Sequence, residues 1–353
     1  MNVLVTGAAG FIGSNFVYHY LESEPEGRVV GVDALTYSGN LENLSALPEA
    51  SRQRFEFVKA DICDRPQVEG LLKERQLNAV VHFAAESHVD RSIQEATAFL
   101  KTNVLGTQIL LDAARAAWRD GSSWLSGVKF VQVSTDEVYG ELGPKGSFSE
   151  QTPLAPRNPY SASKAAADHL VSAAHHTHGL PACITRCSNN YGPYQFPEKL
   201  IPLMIRNALK HETLPVYGDG RQVRDWLFVR DHCRAIELVL ASGAPGRVYN
   251  IGGNNERENI VVVNHLLDVL SERTGDGAIG PALVDHVTDR PGHDRRYAID
   301  ASRIRTELGW APTITFEEGI VSTIDWYLDN SDWCERVISG EYLDFYEHNY
   351  AHR

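Results

Sequence analysis

Gly7-Ala8-Ala9-Gly10-Phe11-Ile12-Gly13 is the stretch on which the fold turns. It follows the apolar run Asn2-Val3-Leu4-Val5-Thr6 and opens a helical pattern, so it reads as a strand-to-helix turn. Such a turn offers unpaired backbone N–H groups and the positive end of a helix dipole, a combination suited to a pyrophosphate. The glycines let the turn tighten and let the backbone come close to a ligand. The spacing is G-x-x-G-x-x-G, which alone is also compatible with an ordinary tight turn. Asp33 shifts the balance. It ends the second apolar run twenty positions after Gly13, where a carboxylate accepts hydrogen bonds from an adenosine ribose. An acid there repels a 2'-phosphate, so NAD is expected in preference to NADP.

Outward from this turn, short apolar runs recur: Val29 to Val32, Phe55 to Val58, Ala79 to Phe83, Val128 to Val133 and Ala182 to Thr185. Helical patterns fall near 64 to 75, 97 to 118 and 160 to 178. This alternation predicts an α/β fold, a doubly wound (Rossmann) parallel sheet with helices on both faces. After Arg186 the chain turns loop-rich, and a smaller C-terminal α/β substrate-binding domain is expected to begin there. Residues 1–186, with about 223–250 returning, are assigned to dinucleotide binding. Residues 187–222 and about 251–330 are assigned to the substrate, and 331–353 to a C-terminal extension. Asp61-Ile62 should lie near the adenine, and Phe83-Ala84-Ala85 near the pyrophosphate and nicotinamide ribose.

The 353 residues suffice for well-buried cores. A net charge of -13 argues against nucleic acid or an anionic membrane as main partner. Five cysteines, with no C-x-x-C pair, indicate neither a disulfide framework nor a zinc site. Met1 runs directly into the first strand without the regions of a signal peptide, and no stretch approaches the ~18 apolar residues of a spanning helix. A cytoplasmic location is expected. His175, His176 and His178 read as cations complementing a helix C-terminus, not as metal ligands. Cys183 and Cys187, bracketing a strand, read as buried.

Tyr160-Ser161-Ala162-Ser163-Lys164 places tyrosine and lysine at i and i+4 on one helix face. An ammonium nearby favours phenolate, so the expectation is a lowered tyrosine pKa and a base for a hydroxyl proton during hydride transfer. Asp136 and Glu137 stand just beyond the fifth apolar run, at a strand end that faces the nicotinamide in such a sheet. Plain hydride transfer needs no further acid and base, so the pair points to elimination of water. It requires a protonated Asp136 and an ionised Glu137.

Ser134-Thr135-Asp136-Glu137-Val138-Tyr139-Gly140, Ala85-Glu86-Ser87-His88-Val89-Asp90-Arg91-Ser92 and Arg186-Cys187-Ser188-Asn189-Asn190-Tyr191-Gly192-Pro193 together resemble the dTDP-glucose 4,6-dehydratases, extended short-chain dehydrogenases. The likeness runs from the glycine loop to Trp310 and the Trp326-Tyr327 region. It implies a redox-neutral cycle on dTDP-D-glucose: oxidation at C4, loss of water across C5 and C6, and return of hydride to C6. Thr135, Asp136, Glu137, Tyr160 and Lys164 would be catalytic. The cofactor set would include Gly7, Gly10, Phe11, Ile12, Gly13, Asp33, Asp61, Ile62, Phe83, Ala84, Ala85, Ser87, Thr102, Ser134, Tyr160, Lys164 and Asn190. Substrate binding falls on Ser87, Thr135, Asn189, Lys199, Arg224, Asn259, Arg290 and His293, the arginines gripping diphosphate. The resemblance also implies a homodimer, paired through the helices near 97 to 118 and 160 to 178. The same reaction on another nucleotide sugar such as UDP-glucose is the alternative reading, and a catalytically silent NAD-binding sensor is a third.

Overall fold

A computed structural model of the chain describes residues 1–338. The part of the expected C-terminal extension at 339–353 lies outside them. Seven parallel strands form one sheet in the spatial order Val248–Ile251, Ala182–Cys187, Lys129–Thr135, Ala79–His82, Asn2–Thr6, Arg28–Asp33 and Phe55–Lys59. The order reverses between Ala79–His82 and Asn2–Thr6, so the crevice beyond those strand ends is where a ligand is expected in such a sheet.

The strand sequences explain why both faces are covered. Alternate residues point to opposite sides of a strand, and here both sides are apolar. Val3, Val5, Val131 and Val133 pack with Phe16, Val17, Ile236 and Val239 from the helices Phe11–Ser23 and Val229–Ser242. Leu4, Val80 and Phe130 face the other way, against Leu72, Leu110 and Val171 from the helices Arg65–Glu74, Thr107–Trp118 and Pro159–His178. Pro159 at the first position of the last helix and the reciprocal Asn158–Ser161 capping box fix where it begins. Tyr160 therefore emerges in its first turn, close to the strand ends.

Two expectations meet a different local structure. The helix expected over 97–118 is interrupted, because Leu100–Gly106 forms a π-helical turn between Thr97–Phe99 and Thr107–Trp118. There the buried Asn103 side chain leaves the helix to hold both the N–H and the carbonyl of Glu86, at 2.9 and 3.0 Å. The segment 223–250 is also split. Val229–Ser242 and Val248–Ile251 pack on or join the large sheet, whereas Val223–Phe228 lies between Asn189–Tyr191 and Glu256–Glu258 in a three-stranded sheet. Its Trp226 and Phe228 bury into a second apolar cluster with Met204, Leu266, Phe316 and Ile320. That cluster is built around the helices Leu200–Leu209, Asn259–Thr274 and Phe316–Asp329, with a parallel pair, Leu214–Tyr217 and Val284–Val287, beside it. No helix among the described residues is long and apolar enough to cross a membrane.

Candidate active site

A cleft of about 350 Å³ opens at the sheet's topological switch and runs toward the second cluster. Its first wall is backbone. Gly7 adopts φ +69° and donates its N–H to Val32 O at 2.8 Å. A Cβ on Gly13 would stand 2.0 Å from Gly7 O, and one on Gly7 would stand 2.7 Å from Ala84 N. Glycine is therefore dictated by close approach at both positions. The helix that follows has no side-chain cap, so its first N–H groups remain for an anion. Asp33 ends its strand with Oδ2 accepting from Ala9 N and Oδ1 from Leu35 N. This uncapped helix start beside a fixed carboxylate fits a dinucleotide. Gly10, Phe11, Ile12, Asp61, Ile62, Phe83, Ala84, Ala85, Thr102 and Asn190 line the same cleft.

At the far end of the strand Lys129–Thr135, the chain turns into a short 3-10 helix, Asp136–Tyr139. Thr135 caps it, accepting from Glu137 N at 3.3 Å. The turn is anchored below by Tyr139, whose hydroxyl donates to Asn250 Oδ1 at 2.7 Å and accepts from Arg186. Ser134, Thr135, Glu137, Tyr160 and Lys164 line the cleft, while Asp136 lies behind its wall, only 2% exposed.

The environments of the two carboxylates differ. Burial, then Glu137, then Asp225 push Asp136 well above the usual carboxylate range, with Arg224 opposing. Burial also raises Glu137, but three cations, Arg290, Arg224 and Lys199, pull it back. Both are raised, and Asp136 is driven further toward its neutral form than Glu137, whose rise the cations limit.

Tyr160 departs from expectation. Burial first and Glu137 second push its phenol well above its ordinary value, and only a hydrogen bond with Thr135 lowers it. Lys164 does not offset this, because its buried ammonium donates to Val133 O at 2.7 Å and is itself lowered by desolvation.

The remaining predicted groups surround the cleft. Ser87, Asn189 and Lys199 line it, and Lys199 Nζ donates to Ser87 O at 3.1 Å. Arg224 is buried, donating to Val223 O and Asp294 O and stacking 4.3 Å over Tyr297. Arg290 pairs with Asp90 at 3.5 Å. Arg224, Asn259, Arg290 and His293 are not on the cleft wall itself, although both arginines act on Glu137. Asn259 opens its helix, with a buried Oδ1 that has no partner among the described residues. His293 bonds Asp289 Oδ1 at 2.6 Å, and burial followed by Arg290 and Arg224 pushes it down to about 4.

Sequence reading missed Thr36, Gln195 and Glu198 on the wall. Glu198 is buried and accepts from Tyr37 Oη at 3.1 Å. The carboxylate directly before Lys199 is the sequence signal for it.

The sequence matches the family described as GDP-mannose 4,6 dehydratase over residues 4–323. A dTDP-glucose 4,6-dehydratase of Xanthomonas campestris pv. campestris is 58% identical over 343 residues, 96% of each chain. One from Salmonella typhimurium is 50% identical over the whole of both chains. Among solved structures, the dTDP-glucose 4,6-dehydratase DesIV of Streptomyces venezuelae, with NAD and TYD bound, superposes with a TM-score of 0.88 at 47% identity. The match covers 96% of this chain and 100% of that one.

Proposed function

The chain belongs to the dTDP-glucose 4,6-dehydratase family, and on that premise we propose that it converts dTDP-D-glucose to dTDP-4-keto-6-deoxy-D-glucose and water, with NAD+ as resident cofactor. The observation that carries this reading is a pair of adjacent carboxylates at one strand end, Glu137 on the cleft wall with Tyr160 and Asp136 directly behind it. A bound NAD+ supplies a hydride store, filled from C4 and emptied to C6.

The side chains manage the protons. To receive the C4 hydroxyl proton as C4 becomes a ketone, Tyr160 must enter the step as phenolate, a form that the positive nicotinamide ring of bound NAD+ would favour against burial and Glu137. The ketone acidifies the C5 hydrogen, and ionised Glu137 removes it. Neutral Asp136 gives its proton to the C6 oxygen, which departs as water with the C6–O bonding electrons, while the electrons of the broken C5–H bond form the new C5–C6 π bond. Glu137 then returns its proton to C5. Lys164 anchors the helix of Tyr160 to the strand end at Val133.

Residues 1–186 with most of 223–250 are proposed to hold the dinucleotide, and 187–222 with about 251–330 the nucleotide sugar. Arg224 and Arg290 would meet the diphosphate, with Lys199, Asn189, Ser87, Asn259 and His293 completing the grip. The exposed Leu100 and Leu105, beside the helices Thr107–Trp118 and Pro159–His178, favour a homodimer through that face. A cytoplasmic enzyme is the location we propose.

Substrate deuterated at C4 tests the reaction. The label should appear at C6 of the keto sugar; retention at C4, or no keto sugar with NAD+ saturating, refutes it.

A further inference from the structure

Asp231 and His232 lie together near the start of the helix Val229–Ser242, and only one of them is explained by the fold. The Asp231 carboxylate accepts from Thr313 N, Thr313 Oγ1 and Ile314 N at 2.8 to 2.9 Å, tying the helix to the segment that follows Trp310. His232 takes no part in that tie. Its side chain is fully buried, and its Nδ1 lies 2.9 Å from Asn190 Oδ1.

The partners of Asn190 settle which atom does what. Its Nδ2 donates to Ser188 O at 2.9 Å, which fixes the amide's orientation, so Oδ1 is the end that meets the imidazole. An amide oxygen only accepts, and Nδ1 must therefore carry a proton. Burial pushes the His232 pKa down to about 3, so the ring is neutral and Nε2 bears the lone pair. That Nε2 is buried without a partner among the described residues. Gln195 Nε2 meanwhile donates to the Asn190 carbonyl at 3.0 Å. With Oδ1, one Nδ2–H and the backbone carbonyl all engaged, one donor of the Asn190 side chain is left over, and Asn190 lines the cleft.

We propose that His232 is a positioning residue of the dinucleotide site, holding the Asn190 amide so that its remaining N–H is the donor offered to an acceptor on bound NAD+. Without the imidazole, the amide is free to rotate and present its oxygen where a donor is needed. The inference rests on the proposed function only in taking Asn190 as part of the NAD+ site.

Three variants of the full-length chain test it by NAD+ titration. His232→Phe keeps the ring and removes the donor, and should weaken NAD+ binding about tenfold. His232→Asn places Nδ2 on the same Cγ that bears Nδ1, and should stay within about threefold of the native value. Thymidine diphosphate affinity should be unchanged in both. In an Asn190→Ala background, His232→Phe should cost nothing further. Native NAD+ affinity in His232→Phe, or an equal loss with and without the Asn190 side chain, overturns the proposal. Should His232→Phe not fold, ¹⁵N-histidine spectra of the native protein decide: a proton on Nδ1 supports the assignment, and one on Nε2 overturns it. These affinities remain readable if the native protein binds NAD+ yet makes no keto sugar, so failure of the reaction is distinct from failure of this assignment.

Discussion

The two ends of the cleft are built to hold anions by opposite means. At the glycine loop the donors are backbone N–H groups, brought close by Gly7 and Gly13 and left uncapped at the helix start. Beside the other end stand long cationic side chains, Lys199 on the wall and Arg224 and Arg290 behind it, and the buried part of each demands compensation. Arg224 has two backbone carbonyls and the Tyr297 ring, Arg290 has Asp90, and Lys199 has Ser87 O and Glu198 at 3.7 Å. A backbone site is damaged by adding atoms, a side-chain site by removing them. The cations also do what a backbone site could not: they reach Glu137 and oppose the rise that burial imposes on it.

The largest effect expected from this contrast is at Gly13. Gly13→Ala puts a Cβ 2.0 Å from Gly7 O, a clash with backbone that no rotamer relieves. NAD+ affinity should fall about 100-fold or more, while thymidine diphosphate affinity stays within a few-fold. Titration of each ligand checks it; undiminished NAD+ binding would mean that the loop is not the rigid cradle described.

Glu137→Gln comes next. It retains the shape but removes the base, so elimination should slow about 100-fold or more while C4 oxidation continues. Single-turnover absorbance should then show reduced cofactor accumulating, and equal loss of both half-reactions would contradict the division of labour. The partner Asp136 adds a pH signature. Its folded pKa is raised, so the proton needed at C6 is present at low pH and lost as pH rises through that value. Elimination should therefore fall on the alkaline side, and Asp136→Asn should abolish that limb. The same shift contributes stability that is full below about 3.9 and disappears as pH climbs through the folded value.

The contrast also governs what the sequence revealed. The dinucleotide end is contiguous: strand, glycine loop and helix start occupy residues 2 to 23, and Asp33 follows at a spacing set by one helix and one strand. Local pattern was enough. Tyr160 and Lys164 were legible for the same reason, being one helical turn apart. The proposed substrate end draws on Lys199, Arg224, Asn259, Arg290 and His293, which no periodicity links, and only the family resemblance brought them together. The π-helical turn at Leu100–Gly106 was hidden because its cause, Asn103 gripping Glu86, is a tertiary contact. The raised pKa of Tyr160 was hidden for a related reason. An i, i+4 spacing shows that a lysine is near, but not that its ammonium is buried and turned toward the Val133 carbonyl.

The smallest effect lies where the two ends meet. Tyr37 follows the strand that carries Asp33, yet its hydroxyl donates to Glu198, 161 residues away and adjacent to Lys199. Burial raises Glu198, and the Tyr37 hydrogen bond is one of the interactions, after Lys199 and Arg91, that oppose this rise. Tyr37→Phe preserves the ring that Arg91 covers at 3.9 Å and deletes only the hydroxyl. Glu198 then favours its neutral form and holds Lys199 less firmly. The expected result is a roughly threefold rise in KM for the nucleotide sugar, with kcat and NAD+ affinity unchanged. Steady-state kinetics beside an NAD+ titration will measure both. If NAD+ affinity falls as far as sugar affinity, Tyr37 belongs to the dinucleotide end, and the boundary between a backbone-built and a side-chain-built site must be moved.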